Sequence, residues 1–345
     1  PAMKTPKVAT AILNWNGKHW LEKFLPSVVA TSYENHQIVV IDNASTDDSV
    51  SFLQEKYPQV KIVINKQNHG FAGGYNEGLK EVEADYYAIL NSDVEVTSDW
   101  LDHLVSLLES NKKIAACQPK ILAFDNKDQF EYAGASGGFI DWYGFPFCRG
   151  RIFDACEKDE HQYDSARPVF WATGAALFIR AHLFHEQKGF DADFFAHMEE
   201  IDLCWRLHNA GLEIWVEPKA AVYHVGGGTL GKDNPKKTYL NFRNNLFMMS
   251  KNLPLFDALV RIFLRMGIDG QAALKELLQG NFGFFKAIFL AHMHFYMHTA
   301  KTLKKRKSIP VKRKFTSLPG VYNRSIVLWY YARRKRFFSE LPPVK

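Results

Sequence analysis

The chain has 345 residues, 47% of them hydrophobic, with 43 Lys+Arg against 37 Asp+Glu for a formal net charge of +6. The hydrophobic content excludes a disordered chain, and the length exceeds what one compact core usually holds, so a large domain with an appendage is expected. The small net charge conceals two opposite parts: residues 236–345 hold 22 Lys+Arg against 4 Asp+Glu, a net of +18, and residues 1–235 hold 21 against 33, a net of −12.

The four cysteines, Cys117, Cys148, Cys156 and Cys204, have no CxxC spacing. That argues against a zinc site and for a reducing compartment, most simply the cytosol. No signal-peptide pattern is visible, and no stretch reaches the roughly 18 uncharged apolar residues of a spanning helix.

In chain order, Lys7–Leu13 predicts a strand that ends in Asn14-Trp15-Asn16-Gly17, and residues 18–31 predict a helix with Leu21, Phe24, Leu25 and Val28 at helical spacing. Gln37–Ile41 is a second strand running into Asp42-Asn43-Ala44-Ser45-Thr46-Asp47-Asp48. Ser45 or Thr46 suits the N-cap of the next helix, with the two acids in its first turn. Val60–Ile64 is a third strand, followed by a glycine-rich loop from Asn65 to Asn76 and a helix to about Glu83. Tyr86–Leu90 is the fourth strand, and its aromatic and branched run enters the polar step Asn91-Ser92-Asp93. Strands alternating with helices predict an α/β fold, a mostly parallel sheet with helices on both faces.

Each strand therefore ends in a polar cluster: Asn14 and Asn16, Asp42 and Ser45, Asn68 and His69, Asn91 and Asp93. Parallel strands place such ends on one rim, the crevice of a nucleotide site. Asp93 reads two ways, as a turn residue ahead of Ser98–Leu101 or as a ligand to a hard divalent cation that carries phosphates. No GxGxxG follows the first strand and no GKS or GKT occurs, so neither a dinucleotide fingerprint nor a P-loop is present.

Farther along, residues 114–118 and 121–124 predict two strands, and residues 134–150 read as a loop over a ligand or a surface insertion. In Val169–Arg180, Gly174 permits close approach, and Trp171 suits either a sugar face or the core. Glu199, Glu200 and Asp202 sit at the start of a helix: acids that favour its dipole, or a general base within them. Asp202 also stands four residues before Arg206, the spacing of a helical ion pair. His224 closes a strand-like run before Gly226-Gly227-Gly228, and Lys232, Lys236, Lys237 and Arg243 follow.

The ordered set Asn14-Trp15-Asn16-Gly17, Ile41–Asp47, Asn68–Gly78 and Leu90-Asn91-Ser92-Asp93 resembles the family 2 glycosyltransferases, most closely their rhamnosyltransferase-like branch, over roughly residues 5–250. The resemblance implies a GT-A fold and transfer of a sugar, with inversion, from a UDP- or dTDP-sugar to a glycan or lipid-linked acceptor. It implies a divalent cation, Mg²⁺ or Mn²⁺, with Asp93 and His224 as metal ligands. Asn91 replaces the first acid of the family's metal motif, so one anionic ligand is missing. Asp42 would bind the donor base, with Asn14, Asn16, Asn68, Gly70, Asn76, Asn91, Ser92 and Arg243 completing the donor site. Trp171, Gly174 and Asp202 would face the acceptor. The family's usual Glu-Asp is Glu199-Glu200 here, so Glu200 inherits the role of base. A degenerate nucleotide-sugar-binding protein on the same scaffold is the alternative; a nucleotidyltransferase lacks its expected basic glycine loop after the first strand.

The domains expected are 1–250, catalytic, and 251–345, a basic and aromatic-rich helical extension. Phe256–Met266, Ala272–Leu278 and Phe282–Leu303 predict helices, with the basic clusters 301–307, 312–314 and 333–336 following. Aromatics beside cations suit an anionic membrane surface, or else a helical subdomain with a solvated basic face; no nucleic-acid motif accompanies the charge. The expected location is peripheral, on the cytoplasmic face of a membrane. Composition gives no oligomeric state.

Overall fold

The computed structural model describes residues 5–226 and 234–344. The chain begins β1 (Val8–Asn14), α1 (Lys18–Val29), β2 (His36–Asp42), α2 (Ser49–Lys56), β3 (Lys61–Ile64), α3 (Gly70–Gly78) and β4 (Tyr86–Leu90). It continues through β5 (Val94–Val96), α4 (Trp100–Ser110) and β6 (Ile114–Ala123). Five short strands follow: β7 (Gly138–Asp141), β8 (Pro146–Cys148), β9 (Arg151–Ile152), β10 (Ala155–Cys156) and β11 (Arg167–Val169). Next come β12 (Ala176–Arg180), α5 (Ala181–Glu186), α6 (Glu199–Asn209) and β13 (Glu213–His224). The remainder is α7 (Pro235–Asn252), α8 (Leu255–Leu278), α9 (Phe282–Met297), α10 (Thr299–Lys307) and β14 (Val321–Tyr322).

The main sheet runs β11-β13-β6-β12-β4-β1-β2-β3, with β5 on β13. Strands β1, β2, β3 and β4 are parallel, and β12 lies antiparallel between β4 and β6. Alternation along the strands supplies both faces. Ala9, Ala11, Val39, Ile41, Tyr87 and Ile89 enter the core under α3, α5 and α6. Val8, Ile12, Val40, Tyr86 and Leu90 enter a second core with α1 and α4. Period-2 alternation in a sheet covered on both sides feeds two cores at once.

Several sequence expectations change. The glycines of the 65–76 segment lie inside α3, where they serve packing: a Cβ on Gly74 would stand 2.8 Å from Leu13 and one on Gly78 2.4 Å from Ile41. Without side chains there, the helix sits down on β1 and β2. Neither Ser45 nor Thr46 caps α2, whose first N–H bonds to the Asp47 side chain at 3.0 Å. Residues 114–123 form one strand, not two. Residues 134–150 are not a surface insertion: β7 to β10 form a second sheet, in which Phe139, Phe147 and Cys148 are buried. Its last strand is β14 from the far end of the chain, paired in parallel with β7 (Val321 opposite Ile140). Residues 255–278 are one helix, and the predicted 282–303 helix divides into α9 and α10 at His298.

Candidate active site

The parallel register puts Asn14 opposite Asp42 and Ile12 opposite Leu90, so the C-terminal ends of β1, β2 and β4 share one rim. Asp42 is 1% exposed; its Oδ1 accepts from Asn14 Nδ2 at 2.9 Å and its Oδ2 from the Ser45 N–H at 2.9 Å. Asn16 holds the other side of that turn, its Oδ1 accepting from the Thr46 N–H at 2.7 Å. Asn68 Oδ1 caps Gly70 N–H at 2.9 Å and takes Asn43 Nδ2 at 2.9 Å. Gly70 has φ +71°, and a Cβ there would meet Phe195 at 2.6 Å, so this glycine is required.

At the next exit, β5 pairs with β13 so that Val94 faces His224, and Asp93 arrives beside the imidazole. Asp93 Oδ1 lies 3.2 Å from His224 Nε2, while Glu131 Oε2 lies 2.9 Å from Nδ1. All three are nearly buried. Burial works against a charge on His224, but hydrogen bonds and attraction from the two carboxylates outweigh it and push its pKa up to about 10. The donor set fits a divalent cation that displaces the Nε2 proton: one carboxylate oxygen, one imidazole nitrogen once deprotonated, and a second carboxylate fixing the opposite ring nitrogen, which is how metal-binding histidines are normally held. Sequence reasoning missed Glu131, which stands 93 residues before His224.

The third part is the turn before α6. Phe195, His197 and Met198 have φ of 63°, 68° and 71°, left-handed conformations that non-glycine residues adopt at a cost of order 1–3 kcal/mol each. Asn244 of α7, fully buried, holds this turn by donating to the carbonyls of Phe194, Ala196 and His197 at 2.8–3.0 Å. The turn presents Glu199 and Glu200. Glu200 keeps some exposed surface, yet its Oε2 is sealed from water and has no hydrogen-bond partner; the same holds for Glu199 Oε2 and His197 Nε2. Burial raises the Glu200 pKa, against backbone N–H bonds, that of Gly174 among them, that lower it. Burial and then the neighbouring Glu200 charge push Glu199 well above the ordinary range. Gly174 belongs to the turn whose Ala175 carbonyl accepts the Asn91 N–H at 2.9 Å. The Asn91-Ser92-Asp93 step and Glu200 thus flank one turn.

Four expected site residues are engaged elsewhere. Trp171 is 4% exposed and its indole donates to the Phe139 carbonyl at 2.8 Å, so it packs in the core instead of offering a face to an acceptor. Asp202 is fully buried among Arg206 Nε (2.9 Å), Lys251 Nζ (3.0 Å) and Asn252 Nδ2 (2.8 Å), a structural network. Asn76 uses both ends of its amide on Phe190, at 2.7 and 2.9 Å. Arg243 spends its guanidinium on the carbonyls of Asp193 and Phe194 and on Tyr239 and Asn244. Lys236 and Lys237 instead sit over the rings of Phe195 and Tyr132, beside the strained turn and Glu131. Lys232 and Gly227-Gly228 lie outside the described residues.

A separate cluster, Asp159, His161 and Asp164, has metal-ligand spacing. Lys120 Nζ already pairs with both carboxylates, at 2.8 Å with Asp159 and closely with Asp164, so its charge occupies the place of a cation.

The sequence model of the glycosyl transferase family 2 matches residues 10–169. The N-acetylglucosaminyl-diphospho-decaprenol L-rhamnosyltransferase of Mycobacterium tuberculosis is 28% identical over 282 residues, 76% of this chain and 89% of that protein. Two solved structures share the fold. GalNAc-T7 with UDP, GalNAc and Mn²⁺ has a TM-score of 0.58 at 16% identity, covering 72% of this chain and 49% of that one. The mannosyltransferase PcManGT from Pyrobaculum calidifontis with GDP-Man and Mn²⁺ has a TM-score of 0.54 at 14% identity, covering 85% and 88%. The GT-A sheet, the rim of polar strand ends and these likenesses together make the chain similar to the family 2 glycosyltransferases, and to a rhamnosyltransferase among them.

Proposed function

We propose that this glycosyltransferase moves a sugar from a UDP- or dTDP-sugar to a hydroxyl of a glycan or lipid-linked acceptor, inverting the anomeric centre. The observation that carries the reading is Glu200: a partly exposed residue at the head of α6, one carboxylate oxygen without a partner, beside a strained turn and next to the step that bears Asp93. A buried polar atom left unpaired requires an explanation, and an acceptor hydroxyl supplies one. Glu200 takes the hydroxyl proton as that oxygen attacks the anomeric carbon, and the bond to the donor diphosphate breaks with its electrons on the nucleoside diphosphate. The raised Glu200 pKa suits a base.

Asp42, Asn14, Asn16 and Asn68 line the donor side of the rim, with Gly70, Asn91 and Ser92 shaping it. Asp93 and His224 would hold Mg²⁺ or Mn²⁺, with Glu131 orienting the imidazole. When bound, that cation offsets the charge on the departing diphosphate. Asn91 contributes no charge, so cation affinity rests on Asp93 and His224. Lys236 and Lys237 are better placed than Arg243 to meet the diphosphate. In this reading residues 1–250 are the catalytic domain and 251–345 a basic extension that keeps the enzyme peripheral at a membrane. The M. tuberculosis relative, named for a decaprenol-linked substrate, supports a lipid-linked acceptor.

The test is calorimetry of UDP- and dTDP-sugars with and without Mn²⁺, combined with turnover. Asp93→Ala is expected to lose the Mn²⁺-dependent part of donor affinity; equal affinity of the unaltered protein with and without Mn²⁺ removes the metal assignment. Glu200→Gln is expected to bind donor normally and lose transfer; unchanged turnover removes Glu200 as base.

A further inference from the structure

Helix α8 is amphipathic in the reverse sense. Its buried members are Ala258, Arg261, Arg265, Asp269 and Ala273, so the stripe turned toward the body is largely ionic. Those charges are engaged except at Arg261 Nε, which is buried without a hydrogen-bond partner. Arg261 Nη1 donates to the Trp142 carbonyl at 2.6 Å, Arg265 to Asp269 at 2.7 Å and to Asn245 Oδ1 at 2.8 Å, and His292 of α9 lies 3.2 Å from Asp269. The polar stripe is therefore the side by which the helix is anchored to the body.

The opposite stripe faces outward and is apolar. Phe256 is 78% exposed, Leu259 65%, Phe263 77%, Leu274 53% and Leu278 79%. From Leu255 to Leu274 one charge reaches the surface, Asp257, whose side chain is 33% exposed and lies 3.9 Å from Arg261 Nε. Leu274 also borders a groove of about 300 Å³ between α8 and α9, lined by Phe285, Phe289 and Met293. Contiguous apolar surface of this kind marks an interaction site. No helix among the described residues is long and apolar enough to cross a membrane. At about 1.5 Å per residue, α8 can lie along a surface for about 36 Å.

Two occupants suit such a face: a second copy of this chain or a lipid surface. Charge decides between them. The cations that bracket the stripe, Lys275 and Lys286, are exposed and make no ion pair among the described contacts, and residues 236–345 carry a net of +18. A second copy would bring +18 against +18. Anionic headgroups would complement it. We infer that the outer face of α8, with the adjoining edge of α9, is the surface by which the enzyme lies on an anionic bilayer, Phe256, Leu259, Phe263 and Leu278 entering the headgroup and acyl boundary. This deepens the reading of a lipid-linked acceptor and rests on it: the active site is held over the membrane that carries the acceptor.

The experiment is flotation of the full chain with vesicles of mixed phosphatidylglycerol and phosphatidylcholine, and with phosphatidylcholine alone. Wild type is expected to bind the mixed vesicles and bind phosphatidylcholine weakly. The double variant Phe256→Glu/Phe263→Glu, at two outward positions, is expected to lose at least about tenfold in vesicle affinity. Unchanged affinity overturns the inference. A wild-type dimer in sedimentation that the double variant converts to monomer also overturns it, in favour of a second copy. Phe263→Trp gives a readout that keeps the apolar area: its emission should shift to shorter wavelength on adding mixed vesicles, and no shift overturns the inference even if the double variant fails to fold. Failure here is distinguishable from failure of the transfer reading, because turnover on a water-soluble acceptor is expected to be unchanged in the double variant.

Discussion

The rim of the main sheet and helix α8 solve opposite problems with the same residue types. At the rim, carboxylates and amides end buried strands, and Glu200 Oε2 at the adjoining head of α6 is left without a partner. On α8, Arg265 and Asp269 turn inward and satisfy each other, while Phe256 and Phe263 face out. The first region leaves Glu200 Oε2 unpaired, whereas the helix pairs Arg265 with Asp269 and holds Arg261 Nη1 on the Trp142 carbonyl, so that its apolar side faces out. Which residues a region leaves unpartnered says more about its work than which residues it contains.

Changes at the two regions should separate cleanly, and the largest effect belongs to the rim. Glu200→Gln should lower turnover by about 10²–10⁴ without altering vesicle flotation. If both fell together, rim and helix would not be independent. Next, Asp269→Ala leaves Arg265 buried, and His292 beside it, against no carboxylate, and should cost about 3–5 kcal/mol in urea unfolding. A small loss would mean that the inward charges do not anchor α8. Third, Glu131→Gln keeps the shape but removes the charge on His224 Nδ1, and should weaken Mn²⁺ binding about 10–100-fold by calorimetry.

The pH dependence follows from Glu200. Its pKa is raised, so it remains protonated above the pH at which an exposed glutamate ionises. A base must be ionised to act. Turnover should therefore be complete above the raised value and decline as pH falls through it, with the acid limb of kcat/KM lying toward neutrality compared with about 4.3 for a free glutamate. The smallest effect is at an exposed pair remote from both regions: Lys80→Ala, which breaks the Glu77 ion pair, should change stability by less than about 0.5 kcal/mol.

The legible parts of the sequence were the local ones. Strand ends at Asn14, Asp42 and Leu90 followed from apolar runs halting at polar clusters, and register in a parallel sheet then aligns them without further information. Glu131 left no such trace, because it meets His224 only through the pairing of distant segments. Asn244 reaches the turn before α6 across roughly fifty residues, equally without a local signal. Trp171 and Asp202 failed for a different reason: a residue's type does not say whether it faces a cleft or the core. The charged stripe Arg261, Arg265 and Asp269 on α8 went unread, because the helices expected at 256–266 and 272–278 left Asp269 between them. Periodicity gives two stripes but not which one faces inward; that depended on the Trp142 carbonyl and Asn245 waiting on the body.

The pairing of β14 with β7 bears on biosynthesis. The Ile326 N–H donates to Asp141 Oδ2 at 2.9 Å across 185 residues of chain. At about 5–20 residues per second, the ribosome delivers that last edge roughly 10–40 s after its neighbour has emerged. During that interval the small sheet is an open template, vulnerable to pairing with another nascent chain, so chaperone demand during translation should concentrate there.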